Sequence, residues 1–304
     1  MAKASPSKTW LVTGASSGLG LSITLAALDA GHKVIACTRK PEAAKKEHPE
    51  VEAKGGQWLL LDPNSKDTSD IVRKAADDVG GIDVVVNNAG YVLNGSVEDL
   101  SEDEMQAQMN TNFWGPVRVI KGVLPSMRAR SGTIVAISSI LGIFPLAAGV
   151  MYSCSKASLD MLQAVLAKEL ASFNVRMITI NAGLYETNVA TNGKFAANGV
   201  SDAYINSTVG KVLGVMQEYV QNEETAPGDA KKFGERLVDV VDGRGLGAGL
   251  EKNLRFLFGK DAITLSDVVM KQMAEDFEAS KEIAQSTDFV NATHTGTAWM
   301  ADLK

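Results

Sequence analysis

The sequence predicts an α/β fold: a doubly wound parallel sheet in a single domain. Three observations carry that reading. Short β-branched runs alternate with helical stretches through the first two thirds of the 304-residue chain. The runs are almost continuously apolar, as strands covered on both faces require. A glycine-rich turn also joins the first run directly to a helix. Strand and helix in alternation imply right-handed crossovers and therefore parallel pairing.

The predicted strands are residues 10–13, 33–37, 58–61, 82–87, 133–138 and 175–181. Helical periodicity fills 19–30, 66–79, 102–127 and 152–173. Between strand one and helix one stands Thr13-Gly14-Ala15-Ser16-Ser17-Gly18-Leu19-Gly20. Missing side chains there permit a tight turn, and the helix start offers free N–H groups and a favourable dipole to a pyrophosphate. This is the signature of a Rossmann-type sheet, although a plain strand-to-helix turn is the competing reading. After Asn181 the pattern loosens, with helical pieces at 210–221 and 231–241 before a last strand at 253–258 and a C-terminal helix at 267–286. We divide the domain into a cofactor-binding and catalytic core (about 9–186), a substrate-loop region (about 187–253) and a last strand with C-terminal helix (254–304). Long loops at the carboxyl edge of a sheet are more often functional than idle, so the extended C-terminal part is expected to cover the substrate.

Composition narrows the function. The chain is 45% hydrophobic and 22% charged, with formal net charge -6, which disfavours nucleic acid as a partner. Cys37 and Cys154 form no disulfide framework and fit a reducing compartment. His32, His48 and His294 are scattered without metal-ligand spacing, so no metal is expected and a zinc-dependent alcohol dehydrogenase is disfavoured. No segment approaches the ~20 apolar residues of a membrane helix, and no signal-peptide region opens the chain. A cytoplasmic protein without membrane partners is expected.

Candidate chemistry lies at the strand ends. The second strand runs into Thr38-Arg39-Lys40. An acid near this point contacts a free ribose 2′-OH, whereas a 2′-phosphate needs cations, so Arg39 favours NADP(H) over NAD(H). The fourth strand ends in Asn87-Asn88-Ala89-Gly90, which by itself reads as turn chemistry. Tyr152-Ser153-Cys154-Ser155-Lys156 puts a phenol and an ammonium on one helix face. A free phenol titrates near ~10, and an adjacent cation is expected to lower it toward acid–base work. Ser138 and Ser139 close the preceding strand, where a hydroxyl can meet a substrate oxygen or cap the turn.

Taken in order, these residues resemble the short-chain dehydrogenase/reductase family, in its single-domain branch, over nearly the whole chain. Thr13-Gly14 with Gly18 and Gly20 looks like the family's cofactor turn, and Asp62 resembles the acid that contacts adenine. Asn87-Asn88-Ala89-Gly90 is similar to the motif that steadies the central sheet. Asn112, Ser139, Tyr152 and Lys156 match the catalytic tetrad in order and spacing. The resemblance implies that Tyr152 is the general acid in reduction and that Lys156 lowers its pKa and holds the nicotinamide ribose. It further implies that Ser139 polarises the substrate oxygen and Asn112 holds a relay water. The cofactor set it implies is Gly14, Ser16, Ser17, Gly18, Leu19, Gly20, Arg39, Asp62, Asn88, Ala89, Gly90, Tyr152, Lys156, Gly183 and Thr187.

Two departures stand out. Asn181-Ala182-Gly183 replaces the family's Asn-Pro-Gly, removing a fixed φ, and Pro63 follows Asp62 where an apolar β-branched residue is usual. The stretch Arg255-Phe256-Leu257-Phe258-Gly259-Lys260-Asp261-Ala262, with Ser286-Thr287-Asp288-Phe289 later, looks like the steroid- and retinol-dehydrogenase-like subgroup. Substrate-binding candidates are Ser139, Leu141, Phe144, Tyr152, Leu184 and Tyr185, with Leu146 and Phe195 nearby. Such an apolar lining suits a bulky hydrophobic ketone or secondary alcohol, unless several of these pack the core. Helix 152–173 carries one stripe of Leu159, Leu162, Leu166 and Leu170 and another of Met161, Ala164 and Val165. The resemblance implies that one faces the sheet and the other a second subunit in a homodimer or homotetramer; a buried loop would cover the second stripe equally well, and the extended C-terminal third would block a tetramer. Two other readings stay open: the same site reducing a C=N or activated C=C bond, or coupling reduction to a rearrangement; and a non-catalytic NADP(H) sensor.

Overall fold

The computed structural model describes residues 6–185, 193–221, 226–289 and 297. In chain order the elements begin β1 (Thr9–Thr13), α1 (Gly18–Asp29), β2 (Lys33–Thr38), α2 (Pro41–Glu47), α3 (Pro49–Ala53) and β3 (Gln57–Leu60). Next come α4 (Thr68–Asp78), β4 (Val84–Asn87), β5 (Leu93–Asn94), α5 (Glu102–Met109), a π turn (Asn110–Trp114) and α6 (Gly115–Arg130). Then follow β6 (Thr133–Ser139), α7 (Val150–Glu169), β7 (Arg176–Ala182), β8 (Lys194–Phe195) and α8 (Asp202–Ile205). The series closes with α9 (Thr208–Gln221), α10 (Ala230–Asp242), β9 (Arg255–Phe258) and α11 (Lys260–Ser286).

Seven strands pair in the order β3-β2-β1-β4-β6-β7-β9, every pair parallel. The order reverses between β1 and β4, and their carboxyl ends open the crevice where such sheets bind ligands. The predicted doubly wound sheet is therefore the observed one. Alternation sorts the strand residues into two buried layers. Val84, Val86, Val135, Ile137, Ile178 and Ile180 pack with α1 and α10 through Ile23, Phe233 and Leu237. Val85, Ile134 and Met177 pack on the other side with Val72, Val119, Val123 and Met127 of α4 and α6. That second face is apolar only over its lower part. At the carboxyl ends it presents the buried polar residues Asn87, Ser138, Thr179 and Asn181 toward α7.

Several elements differ from the expectation. The helix expected over 102–127 is interrupted by the π turn, an extra residue per turn that often marks functional positions. The C-terminal helix starts earlier, at Lys260, and runs for 27 residues. Only Ala262 and Ser266 of α11 are buried, so its last five turns project from the body. The short α2 and α3, each opened by proline, are additions. Among the described residues no helix is long and apolar enough to cross a membrane.

Candidate active site

The turn after β1 is shaped by close backbone approach. Gly14 has φ +64, where a side chain is strained, and a Cβ there would lie 3.0 Å from Ala89 Cα. A Cβ at Gly20 would overlap Gly14 O and come within 2.5 Å of Asn88 Nδ2. Asn88 Nδ2 donates to the carbonyls of Thr13 (2.9 Å) and Gly14 (3.2 Å). Thr13 Oγ1 in turn accepts from the N–H groups of Asn88 (3.0 Å) and Ala89 (3.1 Å). The ends of β1 and β4 are thus sewn together at the crevice. Ser17 caps α1 without a side-chain hydrogen bond, and no acid lies in the first turn. The amide donors of Gly18, Leu19 and Gly20 face a region suited to an anion. This cradle of glycines and open N–H groups fits a dinucleotide pyrophosphate.

The adenosine end is built from β2 and β3. Thr38 Oγ1 donates to Ser16 Oγ at 3.2 Å, and His48 Nε2 lies 3.0 Å from Ser16 O, which fixes Nε2 as the donor. Arg39 is exposed and makes no ion pair among the described residues, so its fork is available to a phosphate. Asp62 is half-buried, its Oδ1 accepting from Asn64 N at 3.0 Å. His48 was not singled out from the sequence; nothing in the pattern marks a residue that braces a loop 32 positions away.

The reactive groups meet at the carboxyl ends of β4 and β6. Tyr152 stands half-buried near the start of α7, where the Ser139 hydroxyl draws its pKa down. Ser139 Oγ also accepts from Leu141 N at 3.1 Å. The Lys156 ammonium lies 5.6 Å from the Tyr152 ring centroid and donates to Ile137 O at 2.8 Å. A Cβ on Gly90 would sit 3.0 Å from Asn112 Oδ1 and 3.7 Å from Lys156 Nζ, so Gly90 leaves the space that brings these groups near one another. The π turn buries Asn112, which accepts from Tyr91 N and donates to Tyr91 O and Ser155 Oγ. The start of α7 is pinned by Ala148, a non-glycine at φ 63 whose carbonyl accepts from Gly95 N.

Electrostatics correct one expectation. Burial pushes the Tyr152 phenol above its ordinary value, with the Ser139 hydrogen bond opposing it. The neighbouring cation does not reverse this, because the ammonium is spent on a backbone carbonyl rather than on the phenol. Burial likewise lowers Lys156 to about 8, against the pull of Asp160.

On the substrate side, Leu141 and Phe144 are half-buried and Leu184 is 46% exposed beside the site. Tyr185 turns inward, edge-on to Phe233 at 4.9 Å, and so packs the core. Gly183 N donates to Phe258 O, and Leu184 N donates to Asp261 Oδ2 at 2.7 Å. A Cβ on Gly183 would overlap that carboxylate. Asp261, quoted in the sequence only as part of the subgroup stretch, thus braces the turn that lacks proline at Ala182. Thr187 lies outside the described residues.

A parallel sheet with a nucleotide cradle at its reversal point and a Tyr–Lys–Ser cluster beside it defines a dinucleotide-dependent enzyme class. Comparisons agree. The short chain dehydrogenase family model matches residues 8–196. Oxidoreductase claN of Passalora fulva is 45% identical over 209 residues, covering 68% of this chain and 94% of its own. Oxidoreductase BOA17 of Botryotinia fuckeliana is 31% identical over 284 residues, 91% of this chain and 98% of its own. A solved short-chain dehydrogenase from Streptomyces avermitilis superposes with TM-score 0.79 at 30% identity, covering 93% of this chain and 100% of that one. The chain belongs to the short-chain dehydrogenase family. It is accordingly a hydride-transfer oxidoreductase that binds a nicotinamide cofactor and acts on small molecules.

Proposed function

We propose that the chain is an NADP(H)-dependent ketoreductase, or the reverse alcohol dehydrogenase, for a bulky hydrophobic carbonyl or secondary alcohol. The observation that carries the reading is the cluster itself: the Tyr152 phenol, which Ser139 draws down in pKa, the Lys156 ammonium 5.6 Å from its ring centroid, and Asn112 near that ammonium across Gly90. The N–H groups of Gly14, Ser16, Ser17, Gly18, Leu19 and Gly20 would hold the pyrophosphate and Arg39 the 2′-phosphate. Asp62 would meet the adenine, while Asn88, Ala89, Gly90, Gly183 and Thr187 would flank the rest. Bound there, the nicotinamide supplies or takes up the hydride. Ser139 orients and polarises the substrate oxygen, and Tyr152 delivers a proton to it in reduction. Burial keeps the phenol protonated at neutral pH, so it holds the proton to be given, but as a weak acid it depends on stabilisation of the tyrosinate that forms. Lys156 stays charged below about pH 8 and stabilises the tyrosinate once the proton has left. Asn112, held by Tyr91 and Ser155, positions the relay water.

Leu141, Phe144 and Leu184 give the site an apolar approach. One relative, 31% identical over 233 residues, is named a 3-ketodihydrosphingosine reductase from Bacteroides thetaiotaomicron. That name accords with a carbonyl on an extended apolar substrate. The segment ahead of α10 would cover such a substrate, whereas α10 itself, expected in the substrate-loop region, packs against α1 and the sheet as core. Met161 (63% exposed) and Val165 (45% exposed) leave the outer stripe of α7 free for a second copy.

The test is a fluorescence titration with NADPH and NADH, followed by turnover of phenanthrene-9,10-dione, a long-chain ketone, an imine and an enone. Tighter binding of NADPH is expected, with carbonyl reduction falling at least ~100-fold in Tyr152→Phe. Undiminished turnover in that variant refutes the catalytic reading, and imine or enone preference refutes the ketoreductase.

A further inference from the structure

Behind Lys156 lies a carboxyl group that the reaction scheme leaves unused. Asp160 follows one helical turn later on the same face of α7 and is 3% exposed. Its Oδ2 accepts from Asn181 Nδ2 at 2.7 Å and from an Arg255 guanidinium nitrogen at 2.8 Å. Its Oδ1 is buried with no hydrogen-bond partner. Asn181 Nδ2 also donates to the carbonyl of Ser139 at 3.1 Å. One carboxylate therefore joins α7, β7 and β9 and reaches the strand end that carries Ser139. A buried carboxylate is costly unless its charge is compensated, and Arg255, 39% exposed, compensates it from the last strand.

We propose that the Asp160–Arg255 pair is a positioning unit for the buried Lys156 ammonium, the carboxylate stabilising that charge and the guanidinium tempering it. The proposal rests on the reading of Lys156 as part of the catalytic cluster. Asp160 touches neither substrate nor cofactor; it acts through Lys156 and through Asn181 on Ser139. Other charges around Lys156 are few. On its own helix Tyr152 is the other titratable neighbour. The strand β6, the π turn, β5 and the turns at Ile140–Gly142 and Ala171–Phe173 bring no titratable side chain. The strand β7 carries Arg176, but at its far end, bonded to Val240 O. On α5, Glu102 and Asp103 are exposed and Glu104 is tied to Ser101 and Ala197. The pull of Asp160 on the Lys156 pKa, upward against burial, agrees with this geometry.

Lysine-selective 15N labelling reads the charge directly, without substrate. The Lys156 Nζ resonance is assigned by its loss in Lys156→Met and followed against pH. In Asp160→Asn, which keeps an acceptor for Asn181 and Arg255 but removes the charge, the midpoint is expected to fall by about one pH unit or more. In Arg255→Met, where the carboxylate loses its cation, the midpoint is expected to rise. The alkaline limb of kcat in carbonyl reduction should move with the midpoint in each variant. A purely structural role predicts no such opposite shifts. An unmoved midpoint in Asp160→Asn, or movement of both variants in the same direction, overturns the proposal. Should Asp160→Asn fail to fold, an unmoved or lowered midpoint in Arg255→Met overturns it alone. Tyr152→Phe turnover is measured in parallel, so failure of the catalytic reading is seen separately.

Discussion

Gly20 is the position where adding a single methyl group should do most damage to the cofactor cradle. In Gly20→Ala the new Cβ overlaps Gly14 O and lies 2.5 Å from Asn88 Nδ2. Ordinary contact between such atoms is ~3.5 Å, so α1 and the turn must part by about 1 Å. The same movement breaks the paired bonds from Asn88 to Thr13 and Gly14, which hold β4 to β1. A misplacement of ~1 Å at a positioned site costs on the order of a hundredfold. The Kd for the reduced cofactor should therefore rise about 100-fold, equivalent to ~2.7 kcal/mol. Nicotinamide fluorescence titration measures it directly. Gly214→Ala in α9 is the control, because a Cβ there meets nothing within 4 Å and alanine favours a helix by roughly 0.5–1 kcal/mol. Binding by Gly20→Ala within threefold of the parent would refute the close-approach argument.

Two other outcomes follow from the geometry. Arg39→Ala should weaken NADPH at least ~10-fold while leaving NADH within about twofold, because a charged fork on a phosphate is the interaction removed; equal losses for both nucleotides would show that Arg39 does not read the 2′-phosphate. Asp242 anchors the start of the chain to α10, with hydrogen bonds to Lys8 and the buried His32. Burial would raise its carboxyl, but those two partners prevail and bring it to about 2. A depressed carboxyl stabilises the fold above its unfolded value near ~4, and this contribution fades as pH falls through about 2. At ~1.36 kcal/mol per pH unit, Asp242→Asn should cost roughly 2 kcal/mol in urea unfolding at pH 7. The gap between variant and parent should narrow below pH 4, and a pH-independent gap would show that the charge is immaterial.

The sheet was legible in the sequence because its strands are buried on both faces, and such strands read as unbroken apolar runs. The glycine turn, Ser139, Tyr152 and Lys156 were legible because each sits at the end of such a run or one turn apart on a helix. The two-residue pairing of β5 with β8 had no periodicity to detect. Helices α2 and α3 are short and polar, and their proline starts read equally well as turns. The π turn at Asn112 left no trace, since it inserts one residue without altering composition. The roles of Asp160, Arg255 and Asp261 were invisible for another reason: they depend on partners that only the folded sheet brings close. Arg255 and Asp160 stand 95 residues apart in the chain.

The polar patch on the α7 side of the sheet has a consequence for assembly of the fold. Ser138 is paired with Asn181, and Ala136 with Thr179, on adjacent parallel strands. Sliding β7 by one residue against β6 would drive Asn181 and Thr179 into the dry layer of Ile137 and Phe233 and turn Ile180 toward Asp160. Each amide or hydroxyl so misplaced would cost roughly 1–3 kcal/mol. The groups that equip the crevice therefore also proofread strand alignment, which Val and Ile alone, interchangeable on both faces, would leave ambiguous.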